Sequence, residues 1–221
     1  MMRAHSRSTP RVRNPPAAGL PPDALPAGTS GRILQKALRL FARDGFHGTS
    51  VRDLARQCRL QPGALYVHFP SKEHILAELA RLGHEVHHAA IRRELLQAGD
   101  DPAEQLRALV RAHAALHANY PQLAVVVNEE LHALPAQLAA PALALRQQSA
   151  ALLLDVLQRG VTAGRFAIGN LQVTAAAIGA IGLRIPYWYT PGGDLAVEDL
   201  AQQHADLALR MVGFSPSKRR S

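Results

Sequence analysis

Residues 49–72 carry hydroxyl, amide, aromatic and basic side chains at spacings suited to holding phosphate groups. Thr49 and Ser50 stand where a helix is predicted to begin, so hydroxyls and unpaired backbone N–H groups would meet an anion there. Arg52, two residues into that helix, projects from the same end toward the groove or backbone of a nucleic acid. Three side chains with polar tips follow at Tyr66, His68 and Lys72. All six residues are predicted phosphate contacts.

Two short helices joined by a turn must position these side chains. The first begins after Ser50, with Asp53 in capping-box position, and Pro62 suits the first turn of the second. This arrangement is a helix-turn-helix, whose second helix lies in the major groove of DNA. The leading edge of that helix consists of Gln61, Pro62, Gly63 and Ala64. Small residues allow close approach and the Gln61 amide can bind a base edge, so sequence specificity is predicted here.

A second group of polar residues lies on otherwise apolar helix faces: His113, His117, Tyr120 and Glu130. A buried polar group costs about 1–3 kcal/mol unless something satisfies it, so these residues predict either a ligand pocket or an internal hydrogen-bond cluster. Two histidines four residues apart with a carboxylate also fit zinc. Without an HExxH pattern or cysteine ligands no metal site is predicted, and a metal-responsive protein stays an alternative. Three histidines on the preceding helix are expected on a solvated face: His84, His87 and His88.

A third candidate site joins Arg184 and Trp188, four residues apart on a helix predicted from about Leu171 to Trp188. On one helix face a guanidinium and an indole can jointly hold an anionic, partly flat ligand group. The alternative is that Trp188 packs in a subunit interface with Arg184 above its ring. Both residues are therefore predicted ligand contacts with a packing role left open.

Charge divides the chain in two. Residues 1–80 hold 12 Lys and Arg against 5 Asp and Glu, whereas residues 81–221 hold 13 against 12. A net charge of +8 concentrated in the N-terminal third predicts a polyanionic partner for that third. The single cysteine, Cys58, allows no internal disulfide and is predicted to pack in the core. With that one cysteine, a cytoplasmic setting is the default prediction. No run approaches the ~18 apolar residues that cross a bilayer, so no membrane partner is predicted.

The apolar spacing beyond residue 30 is helical and favours no strand. It predicts an all-α protein of about nine helices. Residues 1–30, with six of the fifteen prolines, are expected to form a disordered basic tail, and residues 215–221 a second basic tail. Residues 31–76 are predicted to form a three-helix helix-turn-helix domain. Residues 77–214 are predicted to form a helical domain for ligand binding and dimerisation.

Residues 32–79 resemble the DNA-binding domain of TetR-type transcriptional repressors. The resemblance rests on FARDGF at 41–46, on TSVRDLA at 49–55, and on LYVHF followed by SKE within 65–73. It implies a homodimer that binds a palindromic double-stranded DNA operator through paired major-groove helices, and a small effector that favours a state fitting the operator poorly. Arg59 stands where the family has its turn glycine, a position that favours positive φ, so we expect a strained or reshaped turn.

The C-terminal half resembles regulators of lipid and sterol catabolism within that family, on segments 129–134, 160–166 and 184–193. Several of those regulators respond to acyl-CoA thioesters, which implies a hydrophobic effector such as an acyl-CoA. Small residues near 175–182 and three apolar residues of the last helix predict a four-helix dimer interface: Leu200, Leu207 and Val212. No nucleophile elbow, phosphate loop or Rossmann glycine pattern occurs, so no enzyme and no cofactor are predicted. A constitutive DNA-binding or architectural protein is the remaining alternative.

Overall fold

The computed structural model describes residues 19–214. Within that range the chain forms nine α-helices and no strand, which confirms the predicted all-α class. The helices are α1 (Gly28–Asp44), α2 (Val51–Cys58), α3 (Pro62–His68), α4 (Lys72–Gln97), α5 (Pro102–Asn119), α6 (Pro121–Glu129), α7 (Ala136–Thr162), α8 (Leu171–Leu183) and α9 (Val197–Met211). Three short 3-10 segments connect them at Pro22–Ala24, Leu131–Ala133 and Ile185–Tyr187. No helix among the described residues is long and apolar enough to span a bilayer.

Helices α1–α3 and the start of α4 pack around one apolar core, which α6 and the start of α7 also enter. The predicted stripe of α1 is buried, and Leu54 of α2 and Leu65 of α3 complete the core with no exposed surface. The predicted capping box of α2 is present, because Ser50 Oγ accepts from the Asp53 N–H while the Asp53 carboxylate accepts from the Ser50 N–H. Pro62 begins α3, as its spacing predicted. Local capping thus orients the two helices of the helix-turn-helix.

The N-terminal tail becomes ordered earlier than expected. Leu20 is buried in the same core, and α1 begins at Gly28 rather than at residue 31. The expectation of disorder for residues 19–30 was therefore wrong, because Leu20 and Leu25 find apolar partners that compensate for the entropy of ordering. The basic residues Arg3–Arg13 and the tail at 215–221 lie outside the described residues.

Arg59 ends α2 in the left-handed conformation, with φ 57° and ψ 43°. It is the only non-glycine residue with positive φ among residues 19–214, which confirms the expectation of strain at this turn. Its backbone N–H donates to the Arg56 carbonyl at 3.1 Å, which closes the end of the helix. The arginine side chain is exposed.

Arg59→Gly should therefore raise the free energy of unfolding by about 0.5–1 kcal/mol. Left-handed backbone costs an L-residue about 1–2 kcal/mol, and part of the gain is lost to the greater entropy of glycine in the unfolded chain. Urea unfolding measures the difference. Gly99→Ala is the mirror control, since Gly99 has φ +70° with open space around its Cα and should lose stability on substitution. Equal stabilities for the Arg59 variant and the parent would contradict the assignment of strain.

Helices α4–α9 form the rest of the molecule. Helix α5 packs along α9, and α4 packs along α7, so α5 and α4 form the centre of this bundle. Helix α4 belongs to both halves: Ile75 and Leu76 lie in the N-terminal core, and Ile91 lies in the core of the bundle. The expected boundary at residues 76–77 thus falls inside one continuous helix.

Two predictions about the last helices need correction. Helix α8 ends at Leu183 instead of near Trp188, because Pro186 has no N–H to donate to the Gly182 carbonyl and its ring would clash there. Leu200 and Val212, expected at a dimer interface, are buried within the protomer, whereas Leu207 is exposed. Helix α9 is amphipathic, and its buried face, which includes Leu200, packs against α5.

Candidate functional site

The helix-turn-helix presents one exposed edge made by the start of α2 and by α3. Arg52, Gln61, Pro62 and Gly63 are exposed and Ala64 is half-buried. A Cβ added at Gly63 would meet no atom within 4 Å, so nothing in the protein covers this edge. Tyr66 is 50% exposed and its hydroxyl has no partner among the described residues. These side chains are free to meet a nucleic acid.

Thr49 does not share that exposure. It is 1% exposed, and its hydroxyl donates to the Gly45 carbonyl at 2.9 Å. The expected phosphate contact of Thr49 is therefore wrong: its side chain closes the loop before α2. Ser50 is exposed, yet its Oγ already accepts from the Asp53 N–H at 3.1 Å and donates to Asp53 Oδ2 at 2.5 Å. These bonds lower the pKa of the Asp53 carboxyl.

Lys72 positions the loop that leads into α2. Its Nζ donates to the Phe46 carbonyl at 2.7 Å and to the Thr49 carbonyl at 2.8 Å, and it lies 4.2 Å from the centre of the Phe46 ring. One of the three ammonium protons remains for a phosphate. His68, at the end of α3, is exposed and its Nδ1 lies 3.3 Å from Ser30 Oγ.

A cavity of about 460 Å³ lies in the bundle, walled by α4, α5, α6, α7 and α8. This volume is within the ~300–1,000 Å³ usual for small-molecule sites. Most of the wall is apolar, and its polar residues include four histidines: His84, His87, His113 and His117. The wall also includes exposed residues of α7 and α8, among them Arg146 and Ala176, so the cavity opens to the surface between these helices.

Three of the six predicted ligand residues line this cavity: His113, His117 and Tyr120. The other three do not. Glu130 accepts from the Phe46 N–H at 3.1 Å and so ties α6 to the loop before α2. Glu130 lies on the apolar face of its segment because it makes this hydrogen bond. Its predicted place in a ligand site was therefore wrong.

Arg184 and Trp188 also lie outside the cavity wall. Because α8 ends at Leu183, they do not share an α-helical face. The Arg184 guanidinium lies 4.1 Å above the Tyr187 ring, and Trp188, 57% exposed, stacks on His204 with ring centres 6.3 Å apart. The predicted joint anion site of these two residues is therefore not formed.

Sequence reasoning missed three ionisable residues of the cavity wall: His84, His87 and Arg146. His84 and His87 were expected on a solvated face, but His84 is 6% exposed and His87 is half-buried. The missed signal is spacing, since Ala80, His84, His87 and Ile91 follow one another at four, three and four residues, a continuous helix stripe. Arg146 stands among polar residues of α7, where sequence alone does not distinguish a cavity mouth from open surface.

Burial lowers the pKa of the cavity histidines. Burial, with the nearby charges of Arg146 and His117, lowers the pKa of His84 to about 4, and burial with neighbouring histidines lowers the pKa of His87 to about 3. Burial also lowers the pKa of His113 and His117. All four imidazoles are therefore neutral near pH 7. His84 Nε2 is buried without a hydrogen-bond partner among the described residues.

The buried His84 makes stability depend on pH in a stated direction. Its pKa is about 4 in the folded protein against 6.5 for the free side chain, so the unfolded chain binds the proton more tightly. Stability is then full above pH 6.5 and falls as the pH is lowered toward 4, by about 2 kcal/mol at pH 5.

His84→Leu should remove this contribution, because leucine has no proton to bind, and so should make stability depend less steeply on pH while the other three buried histidines keep theirs. Denaturant unfolding at pH 7 and pH 5 measures the change. His132→Leu, which replaces a histidine exposed in the described structure, is the control and should keep the full slope. A His84→Leu variant with the parental pH dependence would contradict the assignment.

Comparison with known proteins identifies the class of this chain. The model for bacterial regulatory proteins of the tetR family matches residues 33–79, and the model for the tetracyclin repressor-like C-terminal domain matches residues 99–212. The HTH-type transcriptional repressor KstR2 of Rhodococcus jostii (strain RHA1) is 30% identical over 194 residues, which cover 86% of this chain and 95% of that repressor.

Solved structures agree in fold. A bacterial regulatory protein of the tetR family from Rhodococcus RHA1 is 27% identical, with a TM-score of 0.81 over 86% of this chain and 100% of its own. AibR in complex with isovaleryl coenzyme A and operator DNA is 24% identical, with a TM-score of 0.74 over 85% of this chain and 100% of its own, a likeness of fold alone. The matched relatives are regulators rather than enzymes. Since the C-terminal model alone spans more than half of the residues and the N-terminal model covers the helix-turn-helix, the chain belongs to the TetR family of bacterial transcriptional regulators.

Proposed function

We propose that this regulator is a homodimeric repressor that leaves a palindromic operator when a hydrophobic effector with an anionic end, of the acyl-CoA class, enters the cavity. The observation that carries the effector class is the make-up of the cavity: an apolar wall, an unpartnered His84 Nε2 inside, and Arg146 at the opening. An acyl chain fits the apolar wall. The thioester carbonyl or another acceptor would satisfy His84, and a phosphate would meet Arg146. AibR, similar in fold, is a protein that binds isovaleryl coenzyme A and operator DNA.

Helix α4 connects the cavity to the DNA-binding helices. Its first turns pack in the N-terminal core through Ile75 and Leu76, and its later turns carry His84 and His87 into the cavity wall. An effector pressing on the later turns would tilt the whole helix, because packed helices move as rigid bodies. Helix α6 gives a second link between the two halves, because it packs on α1 and Glu130 after its end accepts from the Phe46 N–H. The effector would thus favour a dimer whose two recognition helices no longer match the operator spacing.

Dimerisation is supported by apolar side chains left exposed on α8 and α9. Val173, Leu207 and Met211 are large apolar residues exposed on these two helices. Leu207→Glu should give monomers in sedimentation experiments at concentrations where the parent is dimeric, because a carboxylate cannot be desolvated in an apolar interface. Leu96→Glu, at an exposed position near the end of α4, is the control and should remain dimeric. Dimers of the Leu207 variant would place the interface elsewhere.

Fluorescence anisotropy on DNA from upstream of the protein's own gene tests the proposal. The protein should bind in a salt-sensitive way, and one of a panel of acyl-CoA thioesters should release it while free CoA and free fatty acid do not. Binding that no thioester reverses would refute the effector class and leave a constitutive DNA-binding protein or a metal-responsive regulator. Absence of specific DNA binding would refute the operator assignment.

A further inference from the structure

Three histidines of the cavity wall bring their ring nitrogens together. His87 lies on α4, and His113 and His117 lie one turn apart on α5. One nitrogen from each lies within 4.8 Å of the others. His87 Nε2 and His113 Nδ1 are 2.8 Å apart, and the His113 and His117 ring centres are 4.4 Å apart. No other group of three metal-binding side chains occurs in the described part of the chain.

Backbone carbonyls orient two of these rings as ligands. His113 Nε2 donates to the Gly179 carbonyl at 3.1 Å, which leaves its Nδ1 without a proton and facing His87. His117 Nδ1 donates to the His113 carbonyl at 2.8 Å, which leaves its Nε2 without a proton. A ring N–H given to a carbonyl is the usual support of a metal-binding histidine, because it sets the tautomer and the ring orientation. His87 can move its own proton to Nδ1 and offer Nε2.

We propose that His87, His113 and His117 bind one divalent transition-metal ion of the zinc class, with a coordination position open to the cavity. This proposal does not rest on the acyl-CoA effector, since metal binding needs neither DNA nor thioester. It replaces the sequence-based expectation of no metal site. Glu130, the carboxylate first considered as a zinc ligand, is bonded to the Phe46 N–H instead.

The donor set decides the class of metal. Neutral imidazoles suit zinc, copper, nickel and cobalt, whereas magnesium and calcium prefer oxygen ligands. Three histidines with a fourth open position form an arrangement known from zinc sites that bind water or an exogenous ligand. The lowered pKa values of the three imidazoles keep their lone pairs available near pH 7.

Binding requires small side-chain movements. Four-coordinate zinc with bonds of about 2.0–2.1 Å places neighbouring nitrogens about 3.4 Å apart. The 2.8 Å pair of His87 and His113 must open slightly, and the separations to His117, which are at most 4.8 Å, must settle near the same value. The proposal assigns this adjustment to the His87 ring, which lines the open cavity, because the His113 ring is packed against Gly182 and bonded to Gly179.

Cobalt and zinc titrations of the full chain, purified without a histidine tag and stripped with a chelator, test the proposal. We expect one Co²⁺ ion per chain with the visible absorption of a four- or five-coordinate site, displaced by Zn²⁺. His87→Leu and His117→Leu should each weaken Co²⁺ binding by about 100-fold or more, beyond the 10–100-fold known for supporting groups. His88→Leu, whose ring bonds Ser149 and lies outside the cluster, is the matched control and should bind as the parent does.

X-ray absorption of the zinc-loaded parent keeps the test independent of the variants' folding. Three imidazole nitrogens at about 2.0–2.1 Å would support the site. Three results would each overturn it. These are a six-coordinate cobalt spectrum, a parent that binds Co²⁺ no more tightly than the His87 variant, and zinc surrounded by oxygen atoms. Those results would assign the three histidines to an internal hydrogen-bond cluster.

Discussion

Gly63→Glu is expected to lower operator affinity by about 100-fold or more without loss of folding. The glutamate would stand at the exposed leading edge of α3, where a Cβ meets no protein atom within 4 Å. Facing the bases and phosphates in both half-sites, a carboxylate adds repulsion worth several kcal/mol, and every 1.4 kcal/mol is tenfold in affinity. The fold should be kept, because an acidic residue in the first turn of a helix is favourable and glycine is a poor helix former.

The matched control is Gly169→Glu, the same substitution at another glycine. Gly169 lies between α7 and α8, and a Cβ there also has no neighbour within 4 Å. It should leave operator binding unchanged in the anisotropy assay, while thermal unfolding checks both variants. If Gly63→Glu bound the operator as the parent does, α3 would not be the helix that enters the groove.

Arg146→Gln is expected to weaken effector binding by about 10–100-fold while operator affinity stays the same. Arg146 lines the cavity at its opening, and among residues 19–214 no ion pair of its guanidinium is found. A hydrogen bond to a charged group contributes about 1.5–3 kcal/mol, which gives this range. Glutamine keeps most of the length and polarity, so the change tests charge.

Arg184→Gln tests whether the effector binds in the cavity, as the structure suggests, or at Arg184, as the sequence suggested. Arg184 lies outside the cavity wall and stacks on Tyr187, so its loss should leave the effector concentration for half-release unchanged. The measurement is release of labelled operator by a thioester, for both variants in parallel. If the thioester no longer released the operator from the Arg184 variant but still released it from the Arg146 variant, the effector would bind outside this cavity.

Residue spacing in the sequence predicts more of the DNA-binding edge in the N-terminal half than of the cavity in the C-terminal half. In the helix-turn-helix, capping residues, the proline of α3 and the left-handed turn at Arg59 act within a few residues, so spacing alone indicated the exposed edge. Thr49 is the exception. Its hydroxyl bonds to Gly45 only because the loop folds back, and the sequence shows no sign of that closure.

The cavity depends on which faces of five helices meet. His113 and His117 stand out on the apolar stripe of one helix, so periodicity found them. His84 and His87 acquire their role from α5 packed against α4, and Arg146 from the gap between α7 and α8. Periodicity describes the face of one helix but not the neighbour that covers it.

The sequence by itself determined the all-α class, the TetR family, and the helix-turn-helix with its recognition edge, because local propensity, capping and charge act over short stretches. The tertiary structure decided which polar residues share a cavity. It removed Glu130, Arg184 and Trp188 from the predicted ligand set and brought in His84, His87 and Arg146. The physical reason is that burial and hydrogen-bond partners are set by contacts between residues far apart in the chain, and Pro186 ends the helix that was to unite Arg184 with Trp188.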